Sequence, residues 1–204
     1  MNYTMFNFIK ACDFAAKKHR DQRRKDASSS PYINHPLNVA YILSECKVID
    51  INILSAAVLH DVIEDTKTTK EELIKEFGET ITNLVLECSD DKLKSKIRRK
   101  QLQIEHSSFL SDGAKLIKLA DKYSNMSDLL QNPPKSWTKE EIWGCAVWSQ
   151  EVCRRCYGIN KLLDNKLQEL FNKYEFNGIK ISDINEQEVV AELSQYYSRI
   201  DKSD

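Results

Sequence analysis

Apolar residues recur at helical spacing along most of the chain, and turn-forming residues punctuate them. Phe6, Ile9, Ala11, Cys12, Phe14 and Ala16 supply a 3.6-period face that predicts a helix from Phe6 to Arg24. His35 stands before Pro36, which biases it away from helical angles and lets Pro36 take the first position of a helix Pro36–Cys46. Asp50 opens the next helix, predicted to run unbroken through Ile53 to Glu64-Asp65-Thr66. Thr68-Thr69-Lys70-Glu71 is a capping-box pattern that opens a further helix, ended by Gly78, with another apolar face from Thr80 to Glu87. The charged segment Lys94–His106 reads as an exposed helix, and Ala114–Leu130 as a second apolar-rich one, stopped by Asn132-Pro133-Pro134. Thr138-Lys139-Glu140-Glu141 caps a helix reaching Tyr157 and Gly158, and Asn160–Tyr174 makes one more. After Gly178 only Val189, Val190, Leu193 and Tyr196-Tyr197 keep an amphipathic pattern. The expectation is an all-α chain with one domain over 1–177 and a peripheral helix or mobile tail over 178–204.

Composition narrows this without redirecting it. Of 204 residues only 5 are Gly and 4 Pro, which disfavours a turn-rich β fold, and the length allows a sizeable core. A net charge of -1 gives no bulk electrostatic case for nucleic acid or a membrane, so an anionic ligand needs a local cationic cluster. No apolar run approaches the roughly 18 residues that cross a bilayer, and Met1–Lys10 lacks the charged and apolar regions of a signal peptide. The six cysteines have no secreted-framework spacing, so free thiols in a reducing compartment, the cytosol, are expected. Cys153-Arg154-Arg155-Cys156 lies inside a helical pattern with no second pair, and reads as helix rather than as a redox or zinc motif.

Chemistry concentrates at His60-Asp61-Val62-Ile63-Glu64-Asp65. On one continuous helix, a 100° step per residue places these four polar side chains on an arc about 140° wide, apart from Leu59, Val62 and Ile63. Asp121 lies in the apolar helical face Leu116–Lys122, with Asn125 one turn later, and a buried Asp needs a metal, a cation or several donors. His35, His60, Asp61 and Asp121 together make a two-imidazole, two-carboxylate set suited to Mn, Fe or Zn. Glu64 and Asp65 lie one turn beyond that set, where one of them can orient or deprotonate a water. The acid pair leaves the pocket about two charges negative, so a polyphosphate needs flanking cations. Arg23, Arg24 and Lys25, and Lys118 and Lys122, are placed to supply them, and Lys94–Lys100 could add more although it reads most simply as a solvated face.

Tyr32-Ile33-Asn34-His35-Pro36, then His60-Asp61 with Glu64-Asp65, then Lys118-Leu119-Ala120-Asp121-Lys122 with Asn125-Met126, resembles the HD-domain hydrolase family in its alarmone version. The resemblance runs from about Phe14 to Phe171 and is similar to the small single-domain metazoan SpoT homologues. It implies a helical HD fold and manganese-dependent hydrolysis of guanosine 3′,5′-bis(diphosphate), ppGpp, to GDP and pyrophosphate. It also implies His35, His60, Asp61 and Asp121 as metal ligands, Glu64 and Asp65 as the catalytic pair, and Arg24, Lys25 and Asn125 as substrate contacts. Zn²⁺ or Fe²⁺ are the alternative metals. In a chain too short for a synthetase region, degradation without synthesis is implied. The chain departs from the pattern at Tyr123-Ser124, where a Leu and then an aromatic or His is usual, at Ser127-Asp128, and at Cys145, where close animal relatives are expected to carry an aromatic residue.

Two other readings stand beside this one. A phosphatase of the wider HD class would act on NADPH, at its 2′-phosphate, or on a deoxynucleoside monophosphate. A non-catalytic nucleotide sensor would be favoured by loss of a ligand, and none is lost. The sequence carries no signal for oligomeric state.

Overall fold

In the computed structural model, which describes residues 3–26 and 28–201, the chain is helical almost throughout. Met1-Asn2 of the N-terminal stretch, Ala27 of the polar loop and residues 202–204 of the tail lie outside the described residues. The helices are α1 (Tyr3–Lys18), α2 (Asn34–Glu45), α3 (Ile51–Leu59), α4 (Val62–Asp65), α5 (Lys70–Cys88), α6 (Lys96–His106), α7 (Asp112–Gln131), α8 (Lys139–Arg154), α9 (Lys161–Phe171) and α10 (Glu186–Asp201).

Helix α3 is the centre of the packing. Its sequence, INILSAAVL, is the most apolar of the helices, and Ala56, Ala57, Val58 and Leu59 are fully buried. Small side chains on one face let neighbours approach, and α1, α2, α5 and α7 all pack against it. Each fully buried large aliphatic side chain contributes roughly 1.5–3 kcal/mol relative to exposure, so α3 anchors whatever its C-terminal end carries. That end carries His60 and Asp61. Helix α7 is the second axis, in contact with α2, α3, α5, α8 and α9.

Several departures from the sequence pattern have local causes. The first helix stops at Lys18 rather than Arg24. His19 is buried, with its ring 4.9 Å from that of Tyr32 and Nδ1 2.7 Å from Gln22 Oε1, so residues 22–26 leave the helix and run toward the site. The helix opened at Asp50 is not continuous: α3 ends at Leu59, His60 and Asp61 form a turn, and α4 restarts at Val62. The Lys94–His106 helix starts at Lys96 behind a Ser95 cap, and it is not simply solvated, because Arg99 and Lys100 turn inward. Gly78, at φ 79°, breaks α5 where a helix end was expected.

A further departure is a two-stranded hairpin, β1 (Glu175–Phe176) and β2 (Ile179–Lys180). Asn177 and Gly178 both have positive φ, 52° and 80°, as a two-residue hairpin turn requires. The Asn-Gly pair is a hairpin signal in the sequence, in the stretch between Tyr174 and the amphipathic tail. Beyond it, α10 packs along α8 with Tyr196 1% exposed, which seats the last segment on the domain. The six cysteines are free thiols, and no helix is long and apolar enough to cross a membrane among the described residues.

Candidate metal and catalytic site

Three helices bring the polar set together. His35 enters from the first turn of α2, His60 and Asp61 from the α3–α4 turn, and Asp121 from the middle of α7. His35 Nε2 lies 3.1 Å from Asp121 Oδ1 and 3.8 Å from Asp61 Oδ2. His60 Nε2 lies 3.0 Å from Asp61 Oδ2 and 3.8 Å from Asp121 Oδ1. Ligand atoms of His35, His60 and Asp121 all fall within 4.8 Å of one another.

The opposite nitrogens explain the orientation. His35 Nδ1 sits 3.1 Å from Ser124 Oγ, and His60 Nδ1 sits 2.8 Å from the Ala57 carbonyl. Both rings are thereby turned so that Nε2 faces the carboxylates, the usual way a ligating imidazole is held. Asp61 accepts from the Tyr32 hydroxyl at 2.6 Å. Asp121 accepts from Asn125 Nδ2 at 2.6 Å and from Lys122 Nζ at 3.2 Å. The Ser124 contact puts a residue that departs from the resembled pattern directly against His35.

The donor set fits a divalent metal ion. His60 Nε2 is buried and makes no aligned hydrogen bond despite its 3.0 Å approach to Asp61. Without an ion, two carboxylates would converge on two imidazoles. Burial alone would lower the His60 pKa, but Asp61 and Asp121 beside it hold it well above the ordinary range. Burial would raise Asp121, yet the Lys122 ammonium and the two imidazoles hold it well below the usual carboxylate range. The carboxylates are thus ionised and available as ligands.

The acid pair divides. Because the helix breaks at His60-Asp61, the single arc of a continuous helix does not form, and the two acids face different cavities. Glu64 faces a small cavity of about 50 Å³ lined also by His60, Asp61 and Asp121. Its carboxylate accepts from the Asp90 amide at 3.1 Å and from Arg99 Nη1 at 3.2 Å. Burial, then the charge of Asp90, raises its pKa above the usual carboxylate range. Asp65 lines a larger pocket of about 550 Å³ and accepts from Gln22 Nε2 at 2.9 Å and Lys92 Nζ at 2.7 Å.

That pocket also gathers Arg24, Lys25, Lys122, Asn125, Trp137 and Trp148. Arg24 Nη2 donates to Asn125 Oδ1 at 3.0 Å and to Asp128 Oδ2 at 2.7 Å, so Asn125 ties Arg24 to Asp121. Lys25 is exposed along the same wall. Sequence reasoning missed Tyr32 as a partner of Asp61, Arg99 and Lys92 as partners of the acid pair, and Trp148 as a wall residue. Only the cationic residues carried a signal, as charge opposite an acid pair that needs neutralising.

A family model described as "HD domain" matches residues 11–144. The chain belongs to the HD-domain family. Within this HD family it is 46% identical over 164 residues to the guanosine-3′,5′-bis(diphosphate) 3′-pyrophosphohydrolase MESH1 of Xenopus tropicalis, across 80% of this chain and 92% of that one. It is 45% identical over 166 residues to the Homo sapiens protein of the same name, across 81% and 93%. The guanosine-3′,5′-bis(diphosphate) 3′-pyrophosphohydrolase of Aquifex aeolicus is 37% identical over 123 residues, only 17% of its own length. Among solved structures, one described as "A metazoan ortholog of SpoT hydrolyzes ppGpp and plays a role in starvation responses" superposes with a TM-score of 0.79. That HD structure is 46% identical and the match covers 81% of this chain and 93% of its own.

Proposed function

We propose that this chain is a manganese-dependent 3′-pyrophosphohydrolase of guanosine 3′,5′-bis(diphosphate), yielding GDP and pyrophosphate. The observation that carries the reading is the acid pair, with Glu64 facing the cavity of the ligand set and Asp65 facing a cation-lined pocket large enough for a nucleotide. Curated relatives of that name, matched over nine-tenths of their length, support the substrate.

His35, His60, Asp61 and Asp121 would hold the ion, which supplies Lewis acidity toward a phosphoryl oxygen and toward water. The chain's own residues do the rest. Glu64, its pKa raised by burial, takes a proton from the attacking water. The water oxygen bonds to the phosphorus nearest the ribose, the bond from that phosphorus to the 3′ oxygen breaks, and the 3′ oxygen leaves with the electron pair and is protonated. Asp65, held by Gln22 and Lys92, orients the phosphate side of the pocket. Arg24, Lys25 and Asn125 contact the nucleoside portion, with Arg24 aligned by Asn125 and Asp128. The free thiols fit a reducing compartment, and we place the activity in the cytoplasm.

The test is product analysis. Purified protein with Mn²⁺ is offered ppGpp, NADPH and deoxynucleoside monophosphates. Release of pyrophosphate and GDP supports the reading, and orthophosphate from NADPH or a monophosphate in its place overturns it.

A further inference from the structure

One wall of the large pocket is held by a segment outside the stretch matched to the HD family. Trp148 and Cys145 on α8, and Lys122 on α7, line the pocket. The family match ends at residue 144, whereas α10 spans Glu186–Asp201. Tyr196 of α10 is buried against Gly144, where an added Cβ would come within 2.7 Å of its ring, so the missing side chain makes room for it. Burial, and then Cys145 beside it, raises the pKa of its hydroxyl.

Lys100 joins these parts. Its ammonium lies 3.4 Å from the centroid of the Trp148 ring and 5.2 Å from that of Tyr196. The Trp148 indole N–H donates to the Lys100 carbonyl at 2.9 Å. Lys122, paired with Asp121, lies 4.5 Å from the centroid of the same indole. Burial draws the Lys100 pKa down to about 8, with the charge of Lys122 acting in the same direction. A cation so placed is stabilised by ring faces rather than by a carboxylate.

We infer that Tyr196 and Lys100 are positioning residues for the nucleotide pocket, clamping Trp148 so that it and Lys122 present one fixed wall to substrate. The inference deepens the proposed function and rests on that reading for its kinetic arm. It assigns α10 a part in substrate affinity rather than stability alone.

The experiment compares Lys100→Met and Tyr196→Leu with the conservative Lys100→Arg and Tyr196→Phe in the full chain. With ppGpp and Mn²⁺, the first pair should raise KM about fivefold with kcat within about twofold, and the second pair should remain near wild type. Without substrate or metal, the first pair should red-shift tryptophan emission and increase iodide quenching, because a released Trp148 meets water. Unchanged KM and unchanged emission, with only a lower Tm, would overturn the clamp. If the wild type fails to turn over ppGpp, the substrate reading falls, while the emission and quenching arm still decides the clamp.

Discussion

The 50 Å³ cavity at the ligands and the 550 Å³ pocket beside it are built on different principles. In the cavity each donor is held by a short contact on its far side: His35 by Ser124, His60 by the Ala57 carbonyl, Asp61 by Tyr32, and Asp121 by both Asn125 and Lys122. In the pocket the groups are long cations, rings and a loop, held through ion pairs and ring faces. Short buried side chains in direct contact have few alternative geometries, whereas an exposed cation such as Lys25 can exchange partners at small cost. The small cavity is therefore expected to tolerate substitution less than the exposed Arg24–Lys25 side of the pocket.

Several substitutions would break or sharpen that contrast. The largest effect is expected at the ligands: Asp61→Ala or Asp121→Ala should abolish both metal retention and turnover, measured by metal analysis and product release. An active, metal-loaded Asp61→Ala protein would sink the assignment.

Glu64→Gln should keep the metal and lower kcat by about 10²–10⁴-fold. A raised pKa for the base means that the wild-type rate climbs with pH through that pKa, and the Gln variant should lose this acid limb. For stability the sign is opposite. A carboxyl raised on folding contributes stability at low pH that is lost as pH rises through its folded pKa. The Gln variant should accordingly melt no lower than wild type at neutral pH, as a thermal scan would reveal.

Ser124→Ala frees the His35 ring, and metal affinity should fall about ten- to a hundredfold, read by titration with Mn²⁺. In the pocket, Arg24→Ala should raise KM about tenfold while lowering kcat less, since it removes charge-assisted contacts outside the reacting centre. A kcat loss equal to that of Glu64→Gln would erase the distinction between the two regions. Smallest of all, Thr138→Ala removes the capping box of α8 and should cost about 1 kcal/mol in chemical denaturation, with kinetics unchanged.

Much of this was open to reading along the chain. Caps at Thr69, Thr138 and Asn160 and the Pro133-Pro134 stop marked helix ends, because capping and proline act within a few residues. His35, His60, Asp61 and Asp121 stood out because such side chains on apolar helices demand a partner. The Asn177-Gly178 turn is also legible, because both residues tolerate positive φ.

Tertiary packing decided the remainder. His19 left the surface for a place beside Tyr32, cutting the first helix short. The turn at His60-Asp61 reset the direction of α4, and Glu64 and Asp65, consecutive on that helix, face the small cavity and the larger pocket. Arg99 and Lys100 are neighbours in one charged run, yet one meets Glu64 and the other two aromatic rings. Periodicity and capping are short-range, so residue order suffices for helices and for the kinds of groups the site holds. Which acid faces the ligands, and which cation finds a ring, depends on helices far apart in sequence meeting in one packed core.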